Sequence, residues 1–160
     1  MTTIGITGHQ GLPRGVAAEV AARMRGRLAG RERVRGVTCL ADGADQIFAR
    51  AVLDAGGTIV VIVPAERYRD GLAERARHTY DQLFERAEAV HRLPHVESSE
   101  RAHMDASAAM LDRVDELWAV WDGKPARGYG GTADVVALAH ERRLPVTVIW
   151  PEGASRDGEP

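Results

Sequence analysis

Cysteine is almost missing from this chain: Cys39 is the single one in 160 residues, so no internal disulfide can form. It falls in Val37-Thr38-Cys39-Leu40, which reads as a strand, where a lone thiol packs as a small apolar group. The six histidines and that cysteine show none of the spacings that a structural zinc site uses, and neither a metal nor a cofactor is expected. Long hydrophobic runs are missing too, since no segment approaches the roughly 18 apolar residues of a membrane helix. No basic leader or small-residue cleavage site follows Met1, so the chain is expected to be soluble and cytoplasmic, with no membrane partner. Finally there is no excess of positive charge. A net charge of −2 leaves no field that would hold nucleic acid, so DNA or RNA is not expected as a partner.

What is present is a regular alternation of elements. Residues 3–8 read as a strand, and Val16, Val20, Met24 and Leu28 follow at four-residue spacing along one helix face. A second strand is expected over 37–41 and a helix over 44–55, stopped by Gly56-Gly57. Residues 58–64 are apolar at consecutive positions, as in a strand buried on both faces. A helix carrying Tyr80, Leu83 and Phe84 leads to a short segment at 89–93. A further helix over 99–114 then precedes a strand at 116–121, a helix at 132–142 and a last strand at 146–150. Trp118 and Trp121 fall on opposite faces of their strand, one under each helical layer. The pattern predicts a single α/β domain over residues 1–150, a Rossmann-like parallel sheet with helices on both faces. Residues 151–160 lack apolar periodicity and are expected to be a disordered tail.

Ligands of such sheets bind outside the carboxyl ends of the strands. Three loops reach that edge: Thr7-Gly8-His9-Gln10-Gly11, Ala41-Asp42-Gly43-Ala44-Asp45, and residues 122–132. In the third, Gly128, Gly130 and Gly131 leave the backbone bare, and Thr132 is placed to cap the helix that follows, an arrangement that suits a phosphate. Neither a Walker loop nor the dinucleotide Gly-x-Gly-x-x-Gly fingerprint is present, which argues against a conventional NAD-dependent dehydrogenase. His9 suits ligand contact, proton transfer or simply holding its loop. Asp42 and Asp45 suit a ribose hydroxyl or the start of their helix, and for Asp45 the capping role is the stronger reading. Asp122, beside Gly123 at the end of a buried strand, must meet a backbone donor, a sugar hydroxyl or a base edge, and is the best candidate for reading the ligand. Lys124 and Arg127 suit either phosphate pairing or solvated surface charge. The candidate ligand-binding set is therefore Gly8, His9, Asp42, Gly43, Asp122, Gly123, Gly128, Gly130, Gly131 and Thr132, with no catalytic residue assigned.

Gly5-Ile6-Thr7-Gly8-His9, Ala41-Asp42-Gly43-Ala44-Asp45, and Ala119-Val120-Trp121-Asp122-Gly123 leading to Gly128-Tyr129-Gly130-Gly131-Thr132 resemble the SLOG superfamily over residues 3–150. That group contains the Rossmann domain of DNA-processing protein A, the lonely-guy phosphoribohydrolases and small bacterial proteins, whose usual Gly-His-Arg reads Gly-His-Gln here. The resemblance implies a nucleotide or nucleotide-derived ligand and often a homodimer, and does not by itself imply catalysis. Binding as a sensor or carrier ranks first and phosphoribohydrolase activity second. The glutamate of the lonely-guy Gly-Thr-x-x-Glu motif is replaced by Val135, and the position of its arginine falls on Ala106.

Overall fold

The computed structural model describes residues 1–155. Its strands are β1 (Thr2–Gly8), β2 (Val34–Thr38), β3 (Thr58–Ala65), β4 (Ala89–His95), β5 (Glu116–Val120) and β6 (Val146–Val148). The helices are α1 (Arg14–Leu28), α2 (Ala44–Asp54), α3 (Glu74–Phe84), α4 (Glu100–Leu111) and α5 (Thr132–Glu141). All strand pairs are parallel, in the order β4-β3-β2-β1-β5-β6, so the fold is an α/β Rossmann-like sheet. The chain builds outward from β1 to β4 and then returns to add β5 on the other side of β1. This reversal opens a crevice at the carboxyl ends of β1 and β5, the place where such sheets bind ligands.

The apolar run of β3 explains the layers. Ile59, Val61 and Val63 point into a core shared with Val20 and Met24 of α1, Phe48 of α2 and Tyr80 of α3. Val60 and Ile62, the alternate residues, meet Ala106 and Met110 of α4 and Val135 and Ala139 of α5. A period of two on a strand buried from both sides therefore assigns three helices to one face and two to the other. α4 starts where the sequence places it, since Ser99 Oγ accepts the Ala102 N–H at 3.0 Å.

Several boundaries differ from the periodicity. β2 runs over Val34–Thr38 rather than 37–41, which puts Cys39 just past the strand. The chain turns there because Leu40 adopts φ of 57° while its N–H donates to Thr38 Oγ1 at 2.9 Å. Trp118 is fully buried against Phe48, whereas Trp121 lies beyond β5, half-buried, and its Nε1 donates to the Lys124 carbonyl. It braces the following loop instead of filling the second layer. At the carboxyl end, β6 closes at Val148, and residues 151–155 fold back so that Trp150 Nε1 donates to the Ala154 carbonyl at 3.1 Å. The rest of the expected tail, 156–160, lies outside the described residues.

Phe48 carries the core of the larger layer: it is fully buried, its ring is 5.6 Å from that of Trp118, and a side-chain carbon on Gly36 would approach it to 2.7 Å. Phe48→Ala should cost about 3–5 kcal/mol of unfolding free energy, read as a lower urea midpoint at unchanged slope.

Candidate functional site

A cavity of about 430 Å³ opens at the crevice and is bounded by the ends of β1, β2 and β3, the cavity face of α4 and the loop before α5. The register of β3 on β4 shifts between Val63 and Ala65, and Pro64, the residue at the shift, joins the wall. Of the residues proposed from sequence, Gly8, His9, Gly128, Gly130, Gly131 and Thr132 line this cavity. Asp42 and Gly43 line a second groove of about 680 Å³ bounded by α1, α2 and α3. Asp122 and Gly123 line neither.

His9 ties the crevice together. Its backbone N–H donates to the Val120 carbonyl at 3.2 Å, and its ring stands edge-on to Trp150 with centroids 5.5 Å apart. In the neutral ring, Nε2 accepts the Asp122 N–H at 3.2 Å and Nδ1 faces the Thr132 hydroxyl at 3.4 Å. In the protonated ring, Nε2 would instead pair with Asp122 Oδ1 at 3.3 Å. Both states bind β1 to the loop after β5. Asp122 correspondingly turns inward, with Oδ1 also accepting the Lys124 N–H at 2.9 Å, so it supports His9 and its own loop.

The glycine loop is shaped by close approach to α4. A side-chain carbon on Gly128 would stand 2.7 Å from Glu100 Oε1, and one on Gly131 would stand 2.8 Å from the Ala126 side chain. Gly130 has φ of 85°, a conformation that side chains resist. Part of the loop backbone is already used: the Gly130 N–H donates to Asp134 Oδ2 at 2.9 Å, and the Gly131 N–H to the Gly128 carbonyl at 3.2 Å. Thr132 does not cap α5. Gly131 occupies the cap position, and Thr132 is the first helical residue, its buried hydroxyl turned to His9. The N–H groups of Thr132 and Ala133 have no acceptor among the described residues, so α5 begins with open donors beside the cavity.

The polar residue that sequence reading undervalued is Asp45. It does not cap α2, whose cap position is Gly43 with no side-chain bond. Its carboxyl, 7% exposed, folds back to accept the Ala41 N–H at 3.3 Å and lines the cavity floor. Burial raises its pKa to about 7, against the opposing pull of hydrogen bonds from the Ala41 and Cys39 backbones and the Thr38 side chain. Burial also pushes up the Cys39 thiol and the Tyr68 hydroxyl, which keeps both neutral. Tyr68 stands edge-on to His103 at 5.5 Å, and burial lowers the His103 pKa. His103 and Ser107 both line the cavity. Their spacing of four on a helix puts them on one face, a signal the sequence carried and the loop-centred reading passed over.

No family model matches the sequence, and no curated protein matches it. Solved structures do match. DNA processing protein A from Streptococcus pneumoniae superposes over 92% of this chain and 50% of its own, with a TM-score of 0.66 at 15% identity. DNA processing protein A from Helicobacter pylori covers 92% of this chain and 64% of its own, at 0.67 and 11%. The molybdenum cofactor carrier protein from Chlamydomonas reinhardtii covers 92% and 74%, at 0.55 and 16%. The chain shares the Rossmann-like α/β fold of these proteins. It spans about half the length of the S. pneumoniae protein. Ala106 and Val135, where the sequence resemblance would put the lonely-guy arginine and glutamate, are buried together in the α4–α5 core and are not among the residues lining the cavity. Among the described residues no cluster of three or more His, Cys, Asp or Glu is arranged to hold a metal, and no helix is long and apolar enough to cross a membrane.

The raised pKa of Asp45 has a stability signature. Between its ordinary value of 3.8 and about 7 the folded chain keeps a proton that the unfolded chain releases, so stability falls as pH rises through that window and levels off above it. The slope inside the window is about 1.4 kcal/mol per pH unit at most. Asp45→Asn, which carries no such charge, should therefore gain on the unmodified protein in melting temperature between pH 5 and pH 8. Parallel melting curves over that range would show the carboxyl to be ordinary and solvated.

Proposed function

We propose that the chain binds a phosphate-bearing nucleotide or nucleotide-derived ligand, as a sensor or carrier, in the cavity at the carboxyl edge of the sheet. The observation that carries this reading is the convergence on one 430 Å³ cavity of the glycine loop, the start of α5 and Arg127 on one side and a buried carboxyl on the other. The volume suits a ligand of nucleotide size. Open N–H groups at a helix start favour an anion, and the helix dipole adds to that preference. Likeness to a protein named as a molybdenum cofactor carrier supports the small-ligand reading. The DNA-processing proteins share the fold, but the net charge of −2 leaves this chain without the electrostatic footing that duplex or single-stranded DNA requires.

Addition of AMP, GMP, CMP or UMP to the purified protein should raise the melting temperature, because a ligand that binds only the folded state stabilises it. Gly131→Val places branched carbons against Ala126 and the Gly128 carbonyl, so it should displace the loop and remove the shift. Equal shifts in a folded Gly131→Val protein would put the phosphate elsewhere.

Phosphoribohydrolase activity is not expected. Asp134, the acidic neighbour of Val135, already accepts the Gly130 N–H, and an apolar valine neither handles a proton nor steadies an oxocarbenium charge. Incubation with the same four nucleotides should release no free base on chromatography. Base release that disappears in Asp134→Asn would make the protein an enzyme with Asp134 in the glutamate's role.

A further inference from the structure

We propose that Asp45 is the specificity residue of the cavity and reads a ligand edge bearing two adjacent N–H donors, such as the N1–H and exocyclic amine of guanine. The inference rests on the nucleotide-binding reading above and adds which base is chosen and by what group. Asp45 is more than nine-tenths buried, yet it lines the cavity. An ionised carboxylate offers about four acceptor positions. The Ala41 N–H takes one at 3.3 Å, long for a bond to a charged acceptor, and among the described residues it is the one donor that reaches ordinary hydrogen-bond geometry with this carboxyl.

No lysine or arginine pairs with Asp45 among the described residues. Its near neighbours Cys39 and Tyr68 are held neutral, so no protein cation offsets the carboxylate. A buried carboxylate of this kind gains most from a ligand that brings its own donors. It also repels phosphate, which directs the ligand's anionic end to the glycine loop and Arg127 and its base to the floor. Guanine presents two donors side by side, hypoxanthine presents one, and adenine sets an acceptor nitrogen beside its amine.

The test is calorimetric titration of GMP, IMP and AMP into the unmodified protein and Asp45→Asn at pH 8, where the carboxyl is ionised. GMP should bind at least about tenfold more tightly than IMP, as expected for a hydrogen bond to a charged group. Asp45→Asn should cut that advantage below about threefold while changing AMP binding little. Equal GMP and IMP affinities in the unmodified protein would overturn the proposal, and so would an undiminished preference in a folded Asp45→Asn. Should the variant not fold, the GMP-to-IMP ratio of the unmodified protein decides alone. Binding of all three without discrimination removes only the role of Asp45, whereas no binding of any removes the nucleotide reading with it.

Discussion

At Gly8 the last residue of β1 has no space for a single side-chain carbon: it would stand 2.4 Å from the Ala44 side chain and 2.8 Å from that of Val120. α2 and β5 therefore press on β1 from two sides at the point where the strand order reverses. The start of α2 leans on the same place, with the Ala44 N–H directed at the His9 carbonyl and Gly43, at φ of 88°, passing 2.7 Å from that carbonyl where a side-chain carbon would sit. His9 then follows with no freedom of placement, and its ring reaches Asp122, Thr132 and Trp150 at once. Three loops and the end of β6 thus take their positions from one close approach. Gly8 and Gly43 act through packing, and the crevice exists because they are bare.

The cavity that results is chemically divided. Its outer side has the glycine loop, the open N–H groups of α5 and a guanidinium, all of which favour negative charge. Its floor has a carboxyl whose ionisation burial opposes, next to a thiol and a phenol that stay protonated. A fold selected for stability alone gains nothing from a buried carboxyl with no cation beside it, since apolar residues of equal volume would pack at lower cost. Departures of this kind from local consistency concentrate at sites of function. On the proposed reading, the two ends together suit a ligand with an anion at one end and hydrogen-bond donors at the other.

Much of this was legible in the sequence, and the reason is the range of the interactions involved. The unbroken apolar run of β3 could only be a strand covered on both faces, and the four-residue spacing in α1 fixed its inner face, so the layers followed from local pattern. The loops at the carboxyl edge followed from topology. The inward turn of Asp45 did not, because it depends on Leu40 entering the left-handed region after β2, which ends three residues earlier than periodicity ends that strand. Nor could the role of Gly128 and Gly130 be read, since the residue that crowds them, Glu100, is on a helix nearly thirty residues away. For Asp122, at the end of a buried strand, the sequence leaves a backbone donor, a sugar hydroxyl and a base edge open, and the structure supplies the backbone donor. Its carboxylate accepts the Lys124 N–H of its own loop and meets His9, and the second contact spans more than a hundred residues, which no local pattern encodes.

One device recurs at two of these loops, after β2 and before α5, and bears on how tightly they can bind. Thr38 accepts the Leu40 N–H, Asp45 the Ala41 N–H, Asp122 the Lys124 N–H and Asp134 the Gly130 N–H, in each case within four residues. Short polar side chains that bond nearby backbone fix a turn without help from the rest of the fold. Both loops therefore enter the crevice already closed on themselves, and His9 ties the β1 loop to the second of them. Ordering a mobile loop on binding costs free energy that is subtracted from affinity, and that cost is small here because the loops are set before the ligand arrives. The acidic residues spent as clamps are then unavailable for contact, which leaves discrimination to the few polar groups that face the cavity while remaining largely buried. Asp45 belongs to both classes: its hydrogen bond to Ala41 holds the loop, and its remaining acceptor capacity lines the cavity, where the proposed ligand would meet it.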